Sequence, residues 1–273
     1  MKAVILAAGY GTRLQRDVES DPTGRFSHLR GTPKPLLPVG PATLISHWVR
    51  ALFDSRSVDT VLVVTNDLFL EAFQKWAEQF PNVKVLSDGT RSNEERLGAV
   101  ACLQLILKHF KVEDDVIVIG GDTLFKEDFS LAKIITEFTH LQAKCNENNL
   151  VLSYECKDDE TSKYGILEVD ADMRVRCMKE KPFPSQTDSR RACPCFYLLS
   201  KNSIPLLDAF LKEKKAAPIE ERDAPGNFLS WLILRKPVYV HQISGRFDVG
   251  NLTSYVECDS FFKNFLDLKS YLM

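Results

Sequence analysis

Four stretches of this chain place residues where phosphate chemistry would need them. The first is Leu6-Ala7-Ala8-Gly9-Tyr10-Gly11-Thr12-Arg13-Leu14, directly after an apolar run at residues 3–6. Glycines where a strand turns into a loop let backbone N–H groups approach phosphate oxygens with no Cβ in the way. Arg13 then adds a planar fork for two such oxygens. A bare tight turn is the plain alternative. A dinucleotide fingerprint would want a third glycine where Leu14 stands, and a Walker loop would want Gly-Lys-Ser/Thr, so neither pattern is met.

The second stretch is Thr32-Pro33-Lys34-Pro35-Leu36-Leu37-Pro38-Val39. Prolines on both sides fix the backbone and hold one ammonium in a stiff frame, where it can act as a point charge for a reacting phosphoryl group. A solvated lysine in a proline-rich loop is the bland reading. The third is Val116-Ile117-Val118-Ile119-Gly120-Gly121-Asp122, an apolar strand ending in a carboxylate, and ligands of open α/β sheets sit beyond the carboxyl ends of strands. The fourth, Gly245-Arg246-Phe247-Asp248-Val249-Gly250, offers a second acid. Two converging carboxylates can hold Mg²⁺ between themselves and triphosphate oxygens.

Taken together, the glycine stretch and the Pro-Lys-Pro-Leu-Leu-Pro-Val stretch resemble the sugar-phosphate nucleotidyltransferase family almost letter for letter. The resemblance extends over residues 2–255 in the family's order. It implies a Mg²⁺-dependent enzyme that joins a nucleoside triphosphate to a sugar 1-phosphate and releases pyrophosphate. On that reading Leu6, Ala7, Ala8, Gly9, Gly11, Thr12 and Arg13 line the nucleotide, and Arg13 and Lys34 stabilise charge on the α-phosphate. Asn93 and Gly98 would read the base, Asn93 standing where the family commonly has Gln. Asp122 and Asp248 would be the metal pair. Gly165 of Tyr164-Gly165, with Glu180 and Lys181 of Glu180-Lys181-Pro182, would line the sugar-phosphate pocket.

These groups need a scaffold that gathers them at one rim. Apolar runs at 3–6, 60–65, 83–86 and 116–119 read as strands, and apolar residues recur at helical spacing over 44–52 and 97–110. A helix is expected to start at Ser92 or Asn93. That order predicts an open, mostly parallel, Rossmann-like mixed α/β sheet flanked by helices. Further strands are expected at 150–154, 165–169, 174–180 and 193–199, with Asp170-Ala171-Asp172 turning a hairpin, so an antiparallel sugar-binding extension follows. Helices at 204–212 and 227–234, a strand at 238–243 and a C-terminal helix from about Asn251 complete the chain. Residues 15–32 and 182–192 are polar and turn-rich, each a lid over a site or a mobile insertion.

The expected organisation is one domain over 1–273. Residues 1–125 would mainly bind nucleotide, 126–255 would mainly bind the sugar phosphate, and 256–273 would form the C-terminal helix. No hexapeptide array follows, so the bifunctional form of the family is not expected. With 44% apolar and 26% charged residues the chain can bury a large core. A net charge of -2 supplies no basic field for nucleic acid. Seven cysteines, an odd number without metal spacing, and no apolar run of membrane length predict a cytoplasmic protein with small-molecule partners and no membrane. Homo-oligomer formation is left open. Two rival functions keep the fold: a different phosphate acceptor such as phosphocholine, and a non-catalytic relative that binds a nucleotide sugar and regulates a partner.

Overall fold

A computed structural model describes residues 1–126 and 128–271, with side chains described through Asn264. Its centre is a ten-stranded sheet. From one edge, Val83–Ser87, Thr60–Thr65, Lys2–Ala7 and Val116–Gly120 run parallel. Phe196–Leu199 then pairs antiparallel with Val116–Gly120, and Asn149–Glu155 antiparallel with Phe196–Leu199. Arg191–Cys193, Gly165–Val169 and Val175–Glu180 continue to the far edge, and Val238–Gln242 lies parallel to Asn149–Glu155. The expected mixed sheet with an antiparallel extension is therefore present, hairpin included.

Alternate residues of the central strands bury on opposite faces because side chains alternate along a strand. Ile5, Val61, Val63, Ile117 and Ile119 face one core, while Val4, Leu62, Val64, Val116 and Val118 face the other. The first core is closed by the helices Leu44–Asp54 and Leu131–Lys144, through residues such as Leu44, Trp48, Ile134 and Phe138. The second is closed by Ala99–His109, Leu206–Glu213 and Pro225–Leu232, through Leu103, Ile106, Phe210 and Phe228. Coverage of both faces explains why the strands are apolar throughout rather than alternating. Every strand pointing at the glycine stretch is thus held rigidly from above and below.

Three expectations need correction. The polar segment 15–32 is not loop throughout: the helix Thr12–Glu19 occupies its start, with Leu14 and Val18, one turn apart, as its buried stripe. The helix expected from Ser92 or Asn93 begins instead at Ala99; Asn93–Glu95 is a single 3-10 turn. The strand expected over 193–199 is two strands, broken where Pro194 offers no N–H to a ladder. The C-terminal helix is Leu252–Tyr271, and residues 272–273 of the expected segment lie outside the described residues. Among the described residues no helix is long and apolar enough to cross a membrane.

Candidate active site

The glycine stretch leaves the carboxyl end of the first strand, and Val116–Gly120 ends beside it. The Gly121 N–H donates to the Leu6 carbonyl at 3.0 Å, which fastens the two loops to each other. Lys34 sits in a 3-10 turn, Lys34–Leu36, framed by Pro33 and Pro35. The expected extended frame is therefore a tight turn, and the stiffness still comes from the prolines. Leu6, Ala7, Gly9, Gly11, Lys34 and Asp122 share one cavity of about 230 Å³, which Cys195 and Pro225 also line. The Lys34 ammonium lies 3.3 Å from Asp122 Oδ2.

Asp248 reaches the same place from the other end of the chain. Arg246–Asp248 pairs antiparallel with Thr123–Phe125, which sets Asp248 opposite Thr123, and the Val249 N–H donates to the Asp122 carbonyl at 2.9 Å. Trp48 Nε1 anchors this corner through the Thr123 carbonyl at 2.7 Å. Arg246 Nη2 donates to Asp248 Oδ2 at 3.0 Å; its other donors meet the Tyr154 hydroxyl and Thr123 Oγ1, each at 3.3 Å. Burial pushes the Asp248 carboxyl up from its usual value; the Asp122 charge adds to this, while Arg246, Lys34 and Arg13 oppose it. Arg13 itself is exposed in the first turn of its helix, as is Thr12.

Among the described residues no group of three or more His, Cys, Asp or Glu could hold a metal. A hard cation that shares its shell with triphosphate oxygens and waters takes only one or two carboxylates from the protein. Asp122 and Asp248, on adjacent backbones and acting on one another electrostatically, have that composition.

A second cavity, about 190 Å³, adjoins the first through Leu6, Gly9 and Ala99. Ala8, Asn93 and Gly98 line it, and so do Tyr10, Asp88, Arg96, Cys102 and Asp223. Asn93 is exposed on its turn. Asp223, not singled out in the sequence, organises this wall. Its Oδ1 accepts the Ala99 N–H at 2.8 Å and so caps the Ala99–His109 helix; its Oδ2 accepts from Arg96 Nε at 3.1 Å. Gly98 carries φ +92, and a Cβ there would lie 2.9 Å from Asp223 Cα, so only glycine fits. The helix starts where a distant aspartate caps it, which no local pattern reveals.

The remaining candidates gather at the hairpin. Gly165 and Glu180 are register partners, and the Lys181 N–H donates to the Tyr164 carbonyl at 3.0 Å. The Glu180 carboxylate folds against Gly226 at the start of the Pro225–Leu232 helix, where a Cβ would meet Glu180 Oε2 at 2.4 Å. Partial desolvation of that tip pushes the Glu180 carboxyl up, with Lys181 opposing. Lys181 is exposed and takes the left-handed φ of +50, an unusual choice for a non-glycine residue. Pro225 belongs to the Lys34 cavity and its neighbour Gly226 to the Glu180 contact, so one helix start joins the two groups. A third cavity, about 400 Å³, lies on the Asp248 side, bounded by Arg246, Tyr154, Tyr164 and Lys126.

Comparison with known proteins identifies the family. The nucleotidyl transferase family profile matches residues 2–264. Relatives include a bifunctional protein GlmU from Methanococcus maripaludis, 24% identical over 97% of this chain and 55% of that protein. A mannose-1-phosphate guanyltransferase from Pichia angusta is 26% identical over 92% of this chain and 61% of that protein. The chain thus spans between about half and three fifths of the length of these curated relatives. Among solved structures, a putative glucose-1-phosphate thymidylyltransferase from Bacillus anthracis superposes with TM-score 0.72 at 22% identity, covering 96% of this chain and 95% of that one. A UDP-glucose pyrophosphorylase complexed with UDP-glucose gives TM-score 0.72 at 18% identity, covering 96% and 98%. Matched over almost its whole length, the chain belongs to the nucleotidyl transferase family.

Proposed function

We propose that this protein transfers a nucleotidyl group from a nucleoside triphosphate to the phosphate of a sugar 1-phosphate, releasing pyrophosphate. The observation that carries the reading is the convergence of the glycine loop, Lys34 and Asp122 on one cavity, with Asp248 on the adjoining strand. Relatives named for mannose 1-phosphate and glucose 1-phosphate support a sugar 1-phosphate as acceptor. One sheet running through both halves supports treating 1–273 as a single domain.

The acceptor phosphate is already ionised at neutral pH, so no protein nucleophile is required. Its oxygen attacks the α-phosphorus in line, and pyrophosphate leaves from the opposite side. Glycine-loop N–H groups hold phosphate oxygens, while Lys34 and Arg13 counter the charge that grows there. Asp122 and Asp248 would hold Mg²⁺, which when bound draws charge from the α-phosphate oxygens and orients the triphosphate. Glu180 accepts hydrogen bonds from sugar hydroxyls, and Lys181 meets the sugar's phosphate. Seven unpaired cysteines suit a reducing, cytoplasmic setting.

The phosphocholine alternative loses support at the two tyrosines that could cage a quaternary ammonium. The Arg246 guanidinium already lies over them, 5.8 Å from the Tyr154 ring centre and 4.9 Å from that of Tyr164. Pyrophosphate release with a matrix of triphosphates and phosphate acceptors tests the proposal. Release dependent on a sugar 1-phosphate is expected; release with phosphocholine alone, or with no acceptor in the matrix, would refute it.

A further inference from the structure

The Val83–Ser87 strand delivers Asp88 to the wall of the second cavity, beside the Ala8–Gly9 backbone. Its carboxylate is fixed on one side: Oδ1 accepts from the Thr90 N–H at 2.8 Å and from Thr90 Oγ1 at 2.7 Å. Oδ2 meets only a weak donor within this wall, the Cys102 thiol at 3.4 Å, and burial together with the Asp88 charge keeps that thiol protonated. Oδ2 therefore keeps lone-pair capacity for further donors at the wall of this cavity. The same lining holds Arg96, whose five-donor fork gives one bond to Asp223 and one to the Asn93 carbonyl.

A carboxylate acceptor beside a guanidinium donor sorts the bases by their edges. Guanine alone presents two adjacent donors, N1–H and the 2-amino group, next to a carbonyl. Uracil and thymine place a single N–H between two carbonyls, which a carboxylate repels. Adenine and cytosine set one amino group beside a ring-nitrogen acceptor, so they give the carboxylate a single donor where guanine gives it two. Resting on the transferase reading above, we infer that the triphosphate is a guanine nucleotide, recognised by Asp88 through N1–H and the 2-amino group and by Arg96 through O6. The Tyr10 hydroxyl, 2.7 Å from Thr90 Oγ1, ties the phosphate-binding glycine stretch to the turn that orients Asp88. Base and phosphate recognition thus share one hydrogen-bonded unit.

The test is calorimetric binding of GTP, ITP, ATP, UTP and CTP, each with Mg²⁺, to the full chain and to Asp88→Asn. ITP keeps N1–H and O6 and lacks the 2-amino group. An asparagine oxygen can still accept both Thr90 bonds, so the turn survives, while its amide aims a donor at guanine's donors. GTP should bind tightest and ITP about 10-fold weaker, and Asp88→Asn should weaken GTP by roughly 10- to 100-fold with little change in UTP. UTP, ATP or CTP binding tighter than GTP overturns the inference, as does ITP matching GTP or an unchanged preference in Asp88→Asn. Turnover with a different triphosphate would leave the transferase reading standing and remove the guanine assignment alone; a chain that binds none of the five loses both.

Discussion

In residues 1–125 the glycine stretch and Asp122 follow the carboxyl ends of parallel strands, Lys34 sits in a proline-framed turn beside them, and the ties between these loops are largely backbone, as in Gly121 N–H to the Leu6 carbonyl. In residues 126–255 the groups sit on antiparallel strands and depend on contacts between distant side chains. Glu180 is shaped by Gly226, and Asp248 is held by Arg246, which Tyr154 and Thr123 hold in turn. On the transferase proposal the reacting phosphates need charge at fixed points, and strand ends supply fixed points. An acceptor pocket needs shape, and packed side chains supply shape. The first region should therefore fail when charge is removed, the second when volume is added.

The largest effect is expected from Asp122→Asn, which removes a full charge beside Lys34: turnover should fall about 10²–10³-fold at saturating Mg²⁺ with the unfolding midpoint within a few degrees of the parent. Steady-state rates and a thermal melt check it, and a parental rate would break the charge side of the comparison. Lys34→Ala should cost somewhat less, about 10²-fold in kcat, with modest change in acceptor KM. Gly226→Ala sharpens the volume side. Its Cβ would crowd Glu180 Oε2 and Met178, so acceptor KM should rise several-fold and stability fall by about 1–3 kcal/mol, while triphosphate affinity stays near parental.

The smallest effect is a pH dependence at Glu180. Its carboxyl is raised in the folded chain, so the protonated form favours folding, and that contribution is present below the usual 4.5 and lost as pH climbs through the raised value. Relative to Glu180→Gln, the parent should lose stability between pH 4.5 and neutrality, read as a widening gap in melting midpoint, even though the variant binds acceptor less well. A gap that does not change with pH would show the carboxylate tip to be fully solvated.

The same contrast decides how much could be read before the coordinates. Glycines, prolines and strand-end acids carry local signals, so the parallel half and the hairpin were legible from spacing, while the gathering of Lys34 and Asp122 at one rim was expected from the family resemblance. The Thr12–Glu19 helix was hidden because only Leu14 and Val18 mark it amid charged residues. The start of Ala99–His109 was misplaced because its cap, Asp223, is more than a hundred residues away. Asp88 and the contact of Glu180 with Gly226 left no trace, since each depends on which strands lie side by side. Pro194 did announce the break in the 193–199 strand, but an apolar run outweighed it.

The central claim is that Asp122 and Asp248, far apart in sequence, act as one cation-binding pair beside Lys34. Mn²⁺ binding to the triphosphate-loaded protein, followed by electron paramagnetic resonance, tests this without reference to turnover. Asp122→Asn and Asp248→Asn should each weaken Mn²⁺ by at least about 10-fold, and the double variant by little more than the weaker single one, as for two ligands of one ion. Parental Mn²⁺ affinity in either single variant would contradict it.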